Sequence, residues 1–402
     1  MNKPCSDILP YGRHSLDNDD INAVVDVLRG DWLTTGPKIE QFEQALATTV
    51  NAKEAVVCSS GTTALHLAVL GAECASGDAI IVPAQTFLAT ANACRYAGAE
   101  VVFADVDPET GLMTTSTLEK AINQNRKKYR IRAIFAVHLG GQGADLEALS
   151  SIAYRERVPL LEDACHALGG ETRTSIIGDC RFSRMAAFSF HPLKTICMGE
   201  GGALTLNDTK TADRLRSLRS HGMNRDAEKL ENTDLAFAPN GEQNLWYYEM
   251  SELGYNFRAT DFQCALGLNQ LTKLKVFLSK RQKLIEQYRK CLEPLDPLVK
   301  IRKEITGGRS ANHLAVVHID FNKTALTRTE IMQELRKSGI NTQVHYIPVH
   351  LQPYYVKRYG KISLPGAEAY YASCLTLPLY TEMVPHDVER IVRVLGDIIG
   401  AS

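Results

Sequence analysis

The sequence predicts an α/β protein: a larger domain built on a mostly parallel mixed sheet, then a smaller C-terminal α+β domain. Three observations carry this. Short, nearly all-apolar runs recur through the first two thirds of the chain, as strands buried on both faces require. Amphipathic stretches lie between several of them, and strands alternating with helices point to parallel pairing. With 402 residues, 45% of them apolar and 23% charged, the chain is long enough for two or three domains and needs neither disulfides nor metal to fold.

The elements follow in order. Strands are expected at 55–58, 79–82, 100–104, 133–137, 160–162, 185–189 and 203–206, with helices at 62–71, 89–98, 116–123 and 146–157. The polar stretch 226–244 reads as a surface loop. From Thr260 to about Pro294 the pattern is that of one long helical region, rich in charge after Gln270. Beyond it come a strand at 313–319, a helix at 328–338, a strand at 342–346 and a closing helix at 387–399. The expected division is therefore 1–268 for the larger domain and 269–402 for the smaller one, entered by the long helix.

Composition excludes several classes. Lysine and arginine number 45 against 46 aspartates and glutamates, a net charge of −1 that gives no global reason to expect nucleic acid or an anionic membrane as partner. No apolar run approaches the ~18 residues of a membrane span, and the opening MNKPCSDILPYGRH lacks a signal-peptide stretch, so a cytoplasmic location is expected. The 10 cysteines are scattered singly from Cys5 to Cys374 without a CxxC pair. They read as reduced, buried thiols, and no metal site is expected.

Four features fall at the ends of expected strands, where ligands collect in open α/β sheets. Ser59-Ser60-Gly61-Thr62-Thr63 turns from a strand into a helix, which suits a phosphate but equally an ordinary N-cap. Glu162-Asp163-Ala164-Cys165-His166 follows the apolar run VPLL; a strand-end carboxylate can pair with a cation in the crevice or simply sit in solvent. Phe188-Ser189-Phe190-His191-Pro192-Leu193-Lys194 precedes Gly199-Glu200-Gly201-Gly202. A lysine in an apolar loop is a candidate for a depressed pKa and covalent imine chemistry, although most lysines are only solvated. Glycines at 199, 201 and 202 would let that chain turn tightly and approach a ligand. Leu253-Gly254-Tyr255-Asn256-Phe257-Arg258 stands just before the long helix, where Asn and Arg serve as caps as readily as ligands.

Taken together and in this order, the motifs resemble the DegT/DnrJ/EryC1/StrS family of pyridoxal-phosphate-dependent aminotransferases acting on nucleotide-linked keto sugars. The resemblance spans nearly the whole chain, from Leu33-Thr34-Thr35-Gly36-Pro37 through Pro83-Ala84-Gln85-Thr86-Phe87 to Val344-His345-Tyr346-Ile347-Pro348-Val349-His350 and the LPLY at 377–380. Within the family, HALGG, LRSHGM, WYYEMSELGYNFRATD and QVHYIPVHLQPYY look like the branch that aminates C4 in pseudaminic acid biosynthesis. Cys197-Met198, Cys165, Thr35 and His14 depart from that branch's usual residues.

The resemblance implies fold type I of the pyridoxal-phosphate transferases, the aspartate-aminotransferase-like fold. It implies that Lys194 carries pyridoxal 5'-phosphate covalently and shuttles the proton, and that Asp163 faces the ring nitrogen. Phe87 would stack on the ring and His166 lie near its hydroxyl. Gly61, Thr62 and Ser189 would cradle the phosphate, and Asn256 would reach it from a neighbouring subunit of a homodimer. The implied substrates are L-glutamate and a UDP-linked 2-acetamido-2,6-dideoxy-4-keto-hexose, with another UDP- or dTDP-keto sugar as the alternative. Two rivals of other classes fit less well. A nicotinamide dehydrogenase lacks its GxGxxG, because Gly199–Gly202 precedes a strand instead of a helix. A non-catalytic sugar-binding homologue would have no need of both Lys194 and Asp163.

Overall fold

The computed structural model describes residues 8–400, so Cys5 lies outside the described residues. A seven-stranded sheet forms the larger part. Its strands are β1 (Glu54–Cys58), β2 (Asp78–Pro83), β3 (Glu100–Ala104), β4 (Arg130–Val137), β5 (Leu160–Asp163), β6 (Met185–Ser189) and β7 (Gly202–Leu206). They lie in the order β1-β7-β6-β5-β4-β2-β3. Only β7 runs against its neighbours β1 and β6; the remaining pairs are parallel. The carboxyl ends of β1 to β6 therefore share one edge, and the loops leaving that edge can build a common site.

The strands are apolar because helices cover both faces. On one side the helix Gly61–Gly71 buries Leu65, Leu67 and Val69 against Val56, Leu204 and Met185. Its N-terminus is fixed by a reciprocal capping box between Ser60 and Thr63. On the other side the helices Thr115–Asn125 and Leu146–Glu156 bury Leu118, Ile122, Leu149 and Ile152 against β2 to β5.

Two details explain motifs noted in the sequence. The buried Asp261 carboxylate accepts the Gly36 amide at 2.8 Å and the Lys38 amide at 3.0 Å, tying the TTGP turn to the start of the helix Asp261–Thr272. A Cβ at Gly36 would come within 2.5 Å of Trp32 and 2.6 Å of Asp261, so only glycine fits there.

The expected long helix is in fact two, Asp261–Thr272 and Leu274–Leu292. They break at Lys273, whose amide bonds back to the Gln270 and Leu271 carbonyls and whose ammonium is anchored by Asp17 at 2.5 Å and Asp20 at 2.9 Å. The stretch 226–244 is largely exposed and is closed by a short hairpin of β8 (Met223–Asn224) with β9 (Glu249–Met250). A second, antiparallel sheet follows, of β10 (Val299–Ile301), β11 (Ala315–Ile319) and β12 (Cys374–Leu377). The strand expected at 342–346 does not form. Only Gln343 pairs, with Thr376, because His345 and Tyr346 turn away into polar contacts described below. Leu9 packs into the core of this smaller sheet, and Tyr11 accepts the Leu379 amide, so the start of the described chain sits on the C-terminal part. Among the described residues no helix is long and apolar enough to cross a membrane.

Candidate active site

A cavity of about 640 Å³ opens at the carboxyl edge of the large sheet. Seven of the residues singled out in the sequence line it together: Gly61, Thr62, Phe87, Asp163, His166, Ser189 and Lys194. Asn256 does not. Its side chain is exposed and outside this cavity, although the Phe257 carbonyl beside it accepts the Ser59 amide at 2.8 Å.

Strand alternation splits the Glu162-Asp163 pair. Glu162 is locked on one face by His138 Nε2 at 2.9 Å and by the Ser183 hydroxyl. His138 Nδ1 accepts the Ala144 amide at 3.0 Å, so its proton lies on Nε2 and points at the carboxylate. Asp163, at the end of β5, faces the cavity. Its Oδ2 accepts the Thr90 hydroxyl at 2.6 Å and its Oδ1 the Cys165 amide at 3.1 Å. Thr90 in turn accepts from Thr86 at 2.7 Å, which fixes the direction of this short chain of hydroxyls.

Lys194 sits in the loop joining β6 to β7, pinned by its own amide to the His191 carbonyl at 2.8 Å. Its Nζ makes no hydrogen bond or ion pair with any described residue. Burial lowers its pKa below the ordinary lysine value, while the neighbouring Cys165 and Asp163 oppose the shift. A desolvated amine without a partner, its pKa lowered, suits nucleophilic attack on an aldehyde.

At the third corner, Ser60 caps only the Thr63 amide, at 3.2 Å, which leaves the Gly61 and Thr62 N–H groups at a helix N-terminus free for an anion. A Cβ at Gly61 would lie 2.7 Å from Ser189 Cβ and 3.2 Å from Cys165 Sγ, so glycine keeps this cradle open. Gly202 has a different duty from the one expected. A Cβ there would come 2.1 Å from the Ser60 carbonyl, so this glycine lets β7 pass beneath the turn and never meets the cavity. Gly199, at φ +79°, makes the tight turn anticipated for it.

The sequence reading missed Tyr346 and His313. The Tyr346 hydroxyl lies 3.0 Å from His166 Nε2, and its ring centroid lies 5.6 Å from that of Phe87. The buried His313 ring stands 4.5 Å from His166. Both belong to segments (Ala311–Leu314 in the run before β11, and the QVHY stretch) that only the tertiary fold brings here. Among the described residues there is no group of three or more His, Cys, Asp or Glu side chains able to hold a metal ion.

These corners can hold an aldehyde that carries a ring nitrogen and a phosphate. Comparison with known proteins agrees. The chain belongs to the DegT/DnrJ/EryC1/StrS aminotransferase family, whose profile matches residues 14–396. It is accordingly a pyridoxal-phosphate-dependent sugar aminotransferase with the fold of that enzyme group. It is 36% identical over 394 residues to the spore coat polysaccharide biosynthesis protein SpsC of Bacillus subtilis, covering 97% of each chain. Its structure is similar to that of Helicobacter pylori PseC, an aminotransferase involved in pseudaminic acid biosynthesis, with a TM-score of 0.87 and 28% identity over 98% of this chain and 100% of the other. It is also similar to the PLP form of the sugar aminotransferase Spr1654 of Streptococcus pneumoniae, with a TM-score of 0.86 and 25% identity over 98% and 99% of the two chains.

Proposed function

We propose that the enzyme moves an amino group from L-glutamate to C4 of a UDP-linked 2-acetamido-2,6-dideoxy-4-keto-hexose, as in pseudaminic acid biosynthesis, and that Lys194 is its catalytic residue. One observation supports the chemistry above all: an unpartnered, partly desolvated lysine amine, a strand-end carboxylate and two free helix-terminal amides line the same cavity. Similarity to PseC along the full chain supports the choice of sugar.

Pyridoxal phosphate, when bound, supplies a ring that takes up the electron pair left on carbon as a proton departs. The residues of this chain do the rest. Gly61, Thr62 and Ser189 would bind the phosphate, and Phe87, half-exposed at the cavity mouth, would cover the ring. Asp163, with one hydrogen bond already taken at each oxygen, keeps lone pairs to hold a proton on the ring nitrogen. Lys194 Nζ would carry the proton between the two carbons that exchange it, first from the amino donor and then to the sugar. His166, held neutral by burial and by the nearby Lys194 charge, adds no competing cation near the ring. Asn256, exposed and outside its own cavity, is assigned to the phosphate of a second subunit in a homodimer with shared sites.

Offering the purified enzyme a panel of UDP- and dTDP-linked keto sugars with glutamate tests the substrate reading. A 4-amino product from the 2-acetamido UDP sugar supports it. Amination of a different sugar only, such as one destined for another surface polysaccharide, refutes it and leaves the chemistry standing. For the shared site, co-expressed Lys194→Ala and Asn256→Asp chains should regain activity through one intact site per mixed dimer. Mixed dimers no more active than either parent would refute it.

A further inference from the structure

The polar contacts behind the cavity fix more than the position of His166. Gly140, at φ +63°, donates its amide to His166 Nδ1 at 3.1 Å. That turn cannot relax. The Gly140 carbonyl accepts the His313 amide at 3.1 Å, and the Gly141 carbonyl accepts that of Ala311 at 2.9 Å. The buried Arg302 donates to the Leu139 carbonyl at 2.6 Å, and a Cβ at Gly140 would come within 2.5 Å of its guanidinium. With Nδ1 occupied as an acceptor, a neutral imidazole must carry its proton on Nε2. Its partner there, among the described residues, is the Tyr346 oxygen at 3.0 Å, which therefore accepts.

The consequence falls on Tyr346. Its own O–H has no acceptor among the described residues, and the phenol lines the cavity. Its place is fixed from several sides. Its carbonyl accepts Gln85 Nε2 at 3.0 Å, and its ring stacks on His166 with an interplanar angle of 27°. A hydroxyl held at the cavity wall with its proton uncommitted is available to an acceptor on the cavity's occupant.

We propose that the Tyr346 hydroxyl donates a hydrogen bond to an oxygen acceptor of the cavity's occupant, aimed there by the His166 tautomer that the Gly140 amide selects. Burial, and next the charge of Asp163, hold the phenol protonated, so it stays a donor across the working pH range. The acceptor is an oxygen on the cofactor ring or the keto oxygen of the sugar; both present the same chemistry. The inference rests on pyridoxal phosphate occupying this cavity, not on which sugar is aminated.

The test uses Tyr346→Phe, which keeps the ring contacts and removes only the hydroxyl. In the cofactor-free wild-type protein, nitrogen NMR of labelled histidine should show His166 protonated on Nε2; protonation on Nδ1 would overturn the inference without any activity measurement. In the loaded variant, a pH midpoint of the cofactor's visible absorbance moved by about one unit identifies the ring oxygen as acceptor. A sugar half-reaction slowed ~10-fold or more, with the amino-donor half-reaction unchanged, identifies the keto oxygen instead. If the midpoint stays put and both half-reactions run within about 2-fold of wild type, Tyr346 has no such role. Failure of the substrate panel above would leave each of these readouts intact, so the two readings fail separately.

Discussion

Glu162 and Asp163 are neighbours on β5, both acidic and both buried, yet they serve opposite ends. Glu162 accepts one hydrogen bond at each oxygen, from His138 and Ser183, and lies outside the cavity. Asp163 also accepts one at each oxygen, from Thr90 and the Cys165 amide, but its remaining lone pairs open on the cavity. The same contrast separates Ser60, whose oxygen is spent on capping Thr63, from Gly61 and Thr62, whose amides are free. A polar group enclosed by its partners holds a fold together; one whose free valence faces a cavity is available to a ligand. The difference lies in where the group faces, not in the residue type.

The largest effect should come from removing the unpartnered amine. Lys194→Ala should reduce turnover by at least ~10³-fold, the upper part of the range for a positioned proton carrier, while pyridoxamine phosphate still binds. Steady-state rates and a binding titration check both parts. Asp163→Asn keeps the shape and deletes the charge. Turnover should fall ~10²-fold, as for other preorganised electrostatic groups, with the unfolding midpoint nearly unchanged. Glu162→Ala should do the reverse. It strands the protons of His138 and Ser183, so stability should drop by roughly 2 kcal/mol in urea unfolding, while the folded fraction keeps its activity. An Asp163 variant that unfolds but stays active, or a Glu162 variant that stays stable but loses activity, would break the comparison.

How much of this was legible beforehand follows the same line. The seven strands of the large sheet were readable because burial on both faces makes them continuous apolar runs. Lys194, Asp163 and the Gly61 turn were readable as chemistry at strand ends, and the order of motifs named the family. Spacing held no sign that Glu162 would be structural and Asp163 open, since His138 and Ser183 come from separate loops. The stretch 342–346 alternates like a strand, but His345 bonds to Thr376 and Tyr346 to His166, and those long-range contacts outweigh local preference. Gly202 was read as a ligand turn because a backbone passing 2.1 Å from its missing Cβ is invisible in one dimension.

A further effect sharpens the comparison through pH. Burial depresses His345 from the usual 6.5 to about 3, and His166 and His313 shift in the same direction. The unfolded chain therefore binds more protons than the folded one below pH 6.5. The stability these groups contribute is complete above that value and is lost as pH falls toward 3, by about 1.4 kcal/mol per pH unit for His345 alone. Urea midpoints should be lower at pH 5.5 than at pH 7.5, and equal midpoints would contradict the assignment.

Borohydride reduction of the cofactor-loaded enzyme, followed by peptide mapping, tests most directly whether the open corner of this edge is where the chemistry occurs. The pyridoxyl label should appear on Lys194 and on no other lysine. A label on a different lysine, or none on Lys194 in an enzyme that turns over, would contradict the placement of the active site.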